Sequence, residues 1–240
     1  MSTKIEITYL YHSGFLVKLD DIYLLFDYYM GELPKFPNDS RIYVFVSHRH
    51  KDHFNPEIFK LQDKHNVRYF LSYDIKLNAY GMRKYGITDK CMEYIVPIRF
   101  GEDINIDSLR IRAFKSTDSG VAYLASINGK HFYHAGDLNW WHWEEEGNCY
   151  NNNMAANYKR EIDKLADAEK NIDIAFVPLD PRLGDSYYYG LNYFCETVDA
   201  PVIFPMHFWE DYDCQKRFVN EHGYCERIMN LVYPGQIFIL

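Results

Sequence analysis

The 240-residue sequence has no Cys-x-x-Cys pair, no excess of basic residues, no long apolar run and little glycine or proline. Its five cysteines, at positions 91, 149, 195, 214 and 225, form an odd set without paired spacing. That excludes a disulfide scaffold and fits mainly buried thiols in a reducing compartment. Acidic residues outnumber basic ones by 34 to 26, leaving a net charge of −8, which argues against a broad basic face for nucleic acid. Thirteen glycines and nine prolines exclude collagen-like and low-complexity chains. No segment approaches the roughly 18 apolar residues of a membrane span, and the first twenty residues carry no signal-type apolar run. The expectation is a cytoplasmic chain without a membrane partner.

What is present is apolar and aromatic: 48% hydrophobic residues, 18% aromatic ones, and ten histidines. Nothing resembling a repeat or a linker divides the chain, so it reads as a single domain, 1–240. Short β-branched and aromatic runs predict strands at 4–10, 15–19, 22–26 and 42–46, with turns at 18–21 and 37–39. Asn55, Pro56 and Glu57 predict a capped helix start running toward residue 61, followed by a strand at 67–71 and a helix at 75–85. Consecutive strands follow at 94–97, 103–106, 110–114, 121–127 and 131–134, the last two joined by an Asn128-Gly129 hairpin turn. The remainder alternates: helices at 154–169, 191–198 and 214–221, and strands at 172–177, 202–204 and 237–240. Two groups of strands with interspersed helices imply an α+β architecture, a pair of sheets flanked by helices.

After the apolar run at 42–46 comes Ser47-His48-Arg49-His50-Lys51-Asp52-His53, an H-x-H-x-D-H pattern. In an extended segment His48 and His50 point the same way and can bring two imidazoles to one cation. Asp52 and His53 lie past the bend into the next helix and can face a second cation. Three imidazoles and a carboxylate are a set that zinc favours and that manganese or iron also accepts. Three histidines and an acid directly after a buried strand are hard to explain as surface decoration.

On this motif the sequence resembles the metallo-β-lactamase superfamily. The resemblance extends to Tyr133-His134-Ala135-Gly136-Asp137, to Pro205-Met206-His207, and, more narrowly, to Tyr11-His12-Ser13-Gly14-Phe15 and Leu25-Phe26-Asp27, as in the predicted metal-dependent hydrolases that include ascorbate-phosphate lactonases. It implies an α+β, four-layer αβ/βα sandwich with two divalent ions, zinc first and manganese or iron as alternatives. Asp137 would bridge them, His207 would be the final ligand, His12 would line the pocket, and Asp27 would accept from a ligand histidine or, alternatively, cap a turn. One departure stands out: the family's third-motif histidine is missing from Phe114-Lys115-Ser116-Thr117-Asp118-Ser119-Gly120. Asp118 is the candidate replacement, with an Asx-type turn before Gly120 as the plain alternative. An acid there would harden the first site toward manganese or iron.

Other residues carry less. Asn139-Trp140-Trp141-His142-Trp143 is either a pocket wall or core. Arg182 reads as a turn residue in a surface ion pair, with a hold on an anion as the alternative, and Arg49 and Lys51 read as solvated charge, with attraction of an acidic substrate as the alternative. His222 and Cys225 form an incidental pair, His65 and His131 have no assigned role, and His134 is a candidate proton donor. Two divalent ions would acidify a water to near neutral pH, so hydrolysis of a small ester, lactone or phosphodiester is the main expectation. Asp52, Asp137, His12 and His134 would then be the catalytic groups. A di-iron redox enzyme or a non-catalytic binding module on the same fold are the alternatives. The expected partner is a small molecule, with nucleic acid not expected and a homo-oligomer left open.

Overall fold

The computed structural model describes residues 4–38 and 40–240, so that Asp39, the last residue of the expected 37–39 turn, lies outside the described residues. Two units form along the chain: Met1–Arg99 with Val232–Leu240, and Phe100–Leu231. The first is discontinuous in sequence.

In the first unit β1 (Ile5–Tyr11), β2 (Gly14–Leu19), β3 (Ile22–Phe26), β4 (Arg41–Val46), β5 (Asn66–Ser72), β6 (Ile95–Ile98) and β13 (Ile237–Ile239) form one sheet. Among the described residues its order is β13-β1-β2-β3-β4-β5-β6. Strands β1 to β3 pair antiparallel through tight turns, whereas β3 to β6 run parallel. The parallel strands are apolar on both sides, as such strands must be. Ile42, Val44 and Val46 alternate onto a face shared with Val67, Tyr69 and Leu71, where Ile58, Phe59, Ile87 and Cys91 cover them. The other face is an aromatic ladder, with Phe26 stacked on Phe45 at 4.7 Å and Phe45 on Phe70 at 5.0 Å. Asn55 caps the 3₁₀ helix Pro56–Asp63 by accepting from the Glu57 amide, as the sequence predicts.

In the second unit β7 (Asp103–Ile106), β8 (Leu109–Lys115), β9 (Val121–Ile127), β10 (Lys130–His134), β11 (Ile174–Pro178) and β12 (Val202–Met206) form a sheet of order β12-β11-β10-β9-β8-β7 among the described residues. Strands β7 to β10 are antiparallel, and β10, β11 and β12 run parallel. Asn128 and Gly129 both take positive φ, the geometry that a two-residue hairpin turn demands.

The helices depart most from the sequence reading. The helix expected at 75–85 is only α1 (Ala79–Tyr85), because the Asn78 side chain accepts from the Gly81 amide and sets the start there. A four-residue helix, α2 (Asp89–Met92), and a 3₁₀ segment, Pro181–Ser186, were not anticipated. Conversely, α3 (Asn148–Ala168) begins six residues earlier than expected. Its first turns are asparagine-rich, with poor intrinsic propensity. Tertiary bonding compensates: buried Asn151 accepts from the Trp143 amide and donates to the Trp143 and Glu146 carbonyls. Helices α4 (Tyr189–Thr197) and α5 (Asp213–His222) complete the unit.

Candidate metal centre

In the first unit, parallel β3 and β4 end side by side and deliver Asp27 and the histidine run to one sheet edge; the Asp27 amide donates to the Phe45 carbonyl at 2.9 Å. Asp27 is buried and adopts φ 42°, in the left-handed region. Its Oδ1 accepts from the Ser47 amide at 2.7 Å, and its Oδ2 accepts from the Ser47 hydroxyl at 2.5 Å and from His53 Nδ1 at 2.7 Å. Asp27 thus accepts both from a candidate ligand histidine and from the Ser47 amide just past the neighbouring strand. Ser47 spends its only hydroxyl proton on Asp27, so toward His48 Nδ1, 2.9 Å away, it can only accept. Both His48 and His53 therefore carry their proton on Nδ1 and present a bare Nε2, the form in which imidazole binds a metal.

His50 is exposed and crosses the His48 ring edge-on at 4.5 Å. His12, at the tip of the β1–β2 hairpin with φ 56°, is fully buried. Asp52 Oδ2 stands 3.5 Å from His12 Nε2 and 4.0 Å from His53 Nε2. His12, Asp52 and His53 thus offer ligand atoms within 4.8 Å of one another. Burial pushes the Asp52 carboxyl up, but the contact with His12, with His53 close by, outweighs it and holds the group well below the usual carboxylate range.

The second unit repeats the device on a different sheet. Asp137, Asp180 and His207 each follow the C-terminal end of one of three adjacent parallel strands, β10, β11 and β12. His207 is buried with φ 67°, and its Nδ1 donates to Asp180 Oδ2 at 2.9 Å. Its Nε2 then faces Asp137 Oδ1 at 3.3 Å. Asp180 is itself gripped by Arg182, whose Nε lies 3.0 Å from both carboxylate oxygens. Burial raises the Asp180 carboxyl, and the bonds from His207 and Arg182 reverse this and lower it. The ion pair expected of Arg182 is present and its guanidinium is half exposed, but its partner is a fully buried carboxylate that orients a candidate ligand.

The 116–120 segment, where Asp118 stands, joins β8 to β9 at the same edge. Thr117 Oγ1 receives the Asn139 amide at 3.0 Å and donates to the Asn139 carbonyl at 2.6 Å, tying this loop to the one that holds Asp137. The Asp118 amide donates to Ser116 Oγ at 3.2 Å, and Asp118 belongs to no close group of three metal-ligating side chains among the described residues. His134 is fully buried, and its Nδ1 accepts from the Gly136 amide at 3.1 Å, which leaves the proton on Nε2, the opposite tautomer to the other three rings. The tryptophans divide. Trp141 donates to the Asp137 carbonyl at 3.1 Å and sits edge-on to His207 at 5.5 Å, whereas Trp140 packs against Tyr158, Tyr189 and Tyr193. His131 bonds Ser126, His65 packs on Phe36, and His222 stacks on Tyr188.

Two ligands on one tetrahedral cation at about 2.1 Å lie about 3.4 Å apart. The 3.3, 3.5 and 4.0 Å separations above bracket that distance, and the donor atoms are neutral imidazole nitrogens and carboxylate oxygens, so the residues fit a divalent metal. A cavity of about 870 Å³ is lined by Phe36, Lys60 and His65 near the N-terminal ends of β4 and β5, the strand ends opposite the histidine run, and it holds none of these candidate ligands.

Mixed parallel sheets whose C-terminal strand ends carry carboxylate-oriented histidines define a metal-binding protein of α+β architecture with the metallo-β-lactamase fold. The chain belongs to the β-lactamase superfamily, whose domain model matches residues 6–207. No curated protein sequence matches it. Among solved structures it is similar to Igni18, a metallo hydrolase from the archaeon Ignicoccus hospitalis, with 16% identity over 99% of both chains and a TM-score of 0.68. It is also similar to the metallo-β-lactamase fold protein YhfI from Bacillus subtilis, with 13% identity over 100% of both chains and a TM-score of 0.63. A third similar structure is CmlA, a diiron β-hydroxylase from Streptomyces venezuelae: 13% identity, 100% of this chain, 54% of that one, TM-score 0.64. No helix among the described residues is long and apolar enough to cross a membrane.

Proposed function

We propose that the protein is a metal-dependent hydrolase of a small ester, lactone or phosphodiester. Its ligand set would be His48, His50 and Asp118 for one divalent ion and Asp52, His53 and His207 for another, with Asp137 shared. The observation that carries this reading is that Nδ1 of His53 and of His207 meets a buried carboxylate and Nδ1 of His48 meets the Ser47 hydroxyl, contacts that put the proton on Nδ1 and leave Nε2 bare. Zinc suits this set, and the extra acid at 118 favours manganese or iron by comparison. Bound divalent ions would supply Lewis acidity and a water acidified to near neutral pH. The chain's own residues do the rest. Asp27 and Asp180 fix the ring orientations of His53 and His207. His12, 3.5 Å from Asp52, keeps that carboxylate ionised and aimed. His134 holds the Gly136 amide and so the turn that carries Asp137, and the proton on its Nε2 suits it to return a proton to a leaving group.

The test is elemental analysis of the purified protein together with a panel of ester, lactone and phosphodiester substrates. Two equivalents of divalent metal are expected, with at least a thousandfold loss of turnover in His48→Ala and Asp137→Ala. A protein without stoichiometric metal, or one whose activity survives both changes, would sink the hydrolase reading. Iron in both positions with visible absorbance in the isolated protein would move the reading to oxidation chemistry. A metal-replete protein inactive on the whole panel would favour a binding module.

A further inference from the structure

The histidine run borders a cavity of about 520 Å³ that lies wholly within the first unit. Its wall includes His50 together with Arg49, Lys51, Lys76 and Lys84, and a single acid, Asp74. Four cations around one space are out of keeping with a chain of net charge −8. Some cations elsewhere on this surface have acidic partners, as in Lys60–Glu57, Arg110–Asp103, Lys130–Asp173 and Lys216–Asp213, whereas Lys159 lies over the Trp140 and Tyr193 rings. Among the described residues none of the four cations at the cavity has an acidic partner. Lys84 Nζ lies 4.9 Å over the Tyr85 ring, and Asp74 spends one carboxylate oxygen on the Arg49 amide at 3.1 Å rather than on a side-chain cation. Cations gathered without counter-charge repel one another, and an anion placed among them removes that cost.

The cluster is also built rather than fortuitous. Gly81 lets α1, which carries Lys84, close onto the segment that carries Lys76: a Cβ at position 81 would lie 1.7 Å from the Lys76 carbonyl oxygen. No other residue fits that approach.

We propose that this cavity is an anion subsite that binds a dianionic group, a phosphate or a pair of carboxylates, of a small molecule whose reacting bond lies at the neighbouring histidine run. One singly charged carboxylate would not need four cations, and a space of this volume suits a small molecule rather than a polymer. The inference rests on the hydrolase reading for its catalytic part, but not for the binding of the anion.

The experiment is titration calorimetry of the protein as purified with inorganic phosphate and with malonate, comparing wild type, Lys76→Gln/Lys84→Gln and a control, Lys216→Gln, all with equal measured metal content. At least tenfold weaker binding of one or both anions is expected in the double variant alone, and a several-fold weakening of wild-type binding between 20 and 200 mM salt. The preferred anion distinguishes phosphate from dicarboxylate. Equal affinity in the double variant and wild type overturns the subsite, as does affinity for single-stranded oligonucleotides that rises with their length, which would assign the cations to a polymer. In parallel, kcat/KM for a dianionic ester should fall at least tenfold in the double variant, through KM, while that for a neutral ester stays within twofold. Equal losses on both esters would mark the lysines as structural and overturn the assignment. If no ester is turned over, the hydrolase reading fails by itself, and the calorimetry still decides the subsite.

Discussion

Two aspartates do at the residue scale what the candidate metal ligands cannot do for themselves. Asp27 and Asp180 each take the Nδ1 proton of a candidate ligand histidine, and each is fully or almost fully buried. Replacing either by Asn keeps shape and burial but turns a charged acceptor into a neutral amide that can also present a donor to the ring. We expect Asp27→Asn and Asp180→Asn to weaken metal affinity about 10–100-fold in competition with a chelator, with the melting temperature of the metal-free protein little changed. Unchanged affinity in both would mean the two carboxylates serve the backbone alone. Asp27 was legible in sequence as one of two alternatives, because it follows an apolar strand and lies in a recognisable Leu-Phe-Asp run. Asp180 was not. Its neighbour Arg182 suggested an ion pair, and only the register of β11 beside β12 brings it to His207.

At the element scale, chemistry collects where parallel strands end. Strands β3 and β4 in one unit, and β10, β11 and β12 in the other, each release a polar residue at the C-terminal edge, and hairpin tips or short loops supply His12 and Asp118. Periodicity and turn residues made the strands legible, since β-branched and aromatic runs between Gly, Asn and Asp have few other uses. Helix starts were less legible because they hinge on single bonds. Asn78 shortens α1, and Asn151 lengthens α3 against its own composition. The tight seat of α1 gives a prediction at this scale. Gly81→Ala forces its Cβ into the Lys76 carbonyl, so either the helix or the segment before it must move. A loss of about 1–3 kcal/mol in urea unfolding is expected, of the size that overpacking costs. Wild-type stability in that variant would show that the approach of α1 is softer than its geometry implies.

Across the whole molecule, burial of ionisable aromatic and thiol groups sets the response to alkali. Burial raises the pKa values of Tyr69, Tyr133 and Tyr158 well above that of a free phenol, and pushes the Cys195 and Cys214 thiols up to about 12. In the unfolded chain these groups lose their protons near pH 8.5 for thiols and near 10 for phenols. Above those values the unfolded state holds fewer protons than the folded one, so stability is full below about pH 8.5 and falls as pH rises. The decline should begin with the thiols and steepen above pH 10, where three phenols alone contribute about 4 kcal/mol per pH unit once the unfolded chain is fully ionised. Urea midpoints between pH 8 and 11 check this. A flat profile would show that these side chains reach solvent more easily than their burial indicates.

The sequence by itself determined the fold class, the candidate ligand run and the strand that precedes it, because metal chemistry and half-buried strands both impose spacing that a linear pattern can carry. Tertiary structure alone decided which nitrogen of His48, His53 and His207 is bare, which carboxylates orient His53 and His207, and that Arg49 and Lys51, read in sequence as solvated charge by default, share a cavity with Lys76 and Lys84. The reason is physical. Protonation and orientation depend on partners some 25 residues away, and strand register, not adjacency, brings those partners to the same edge.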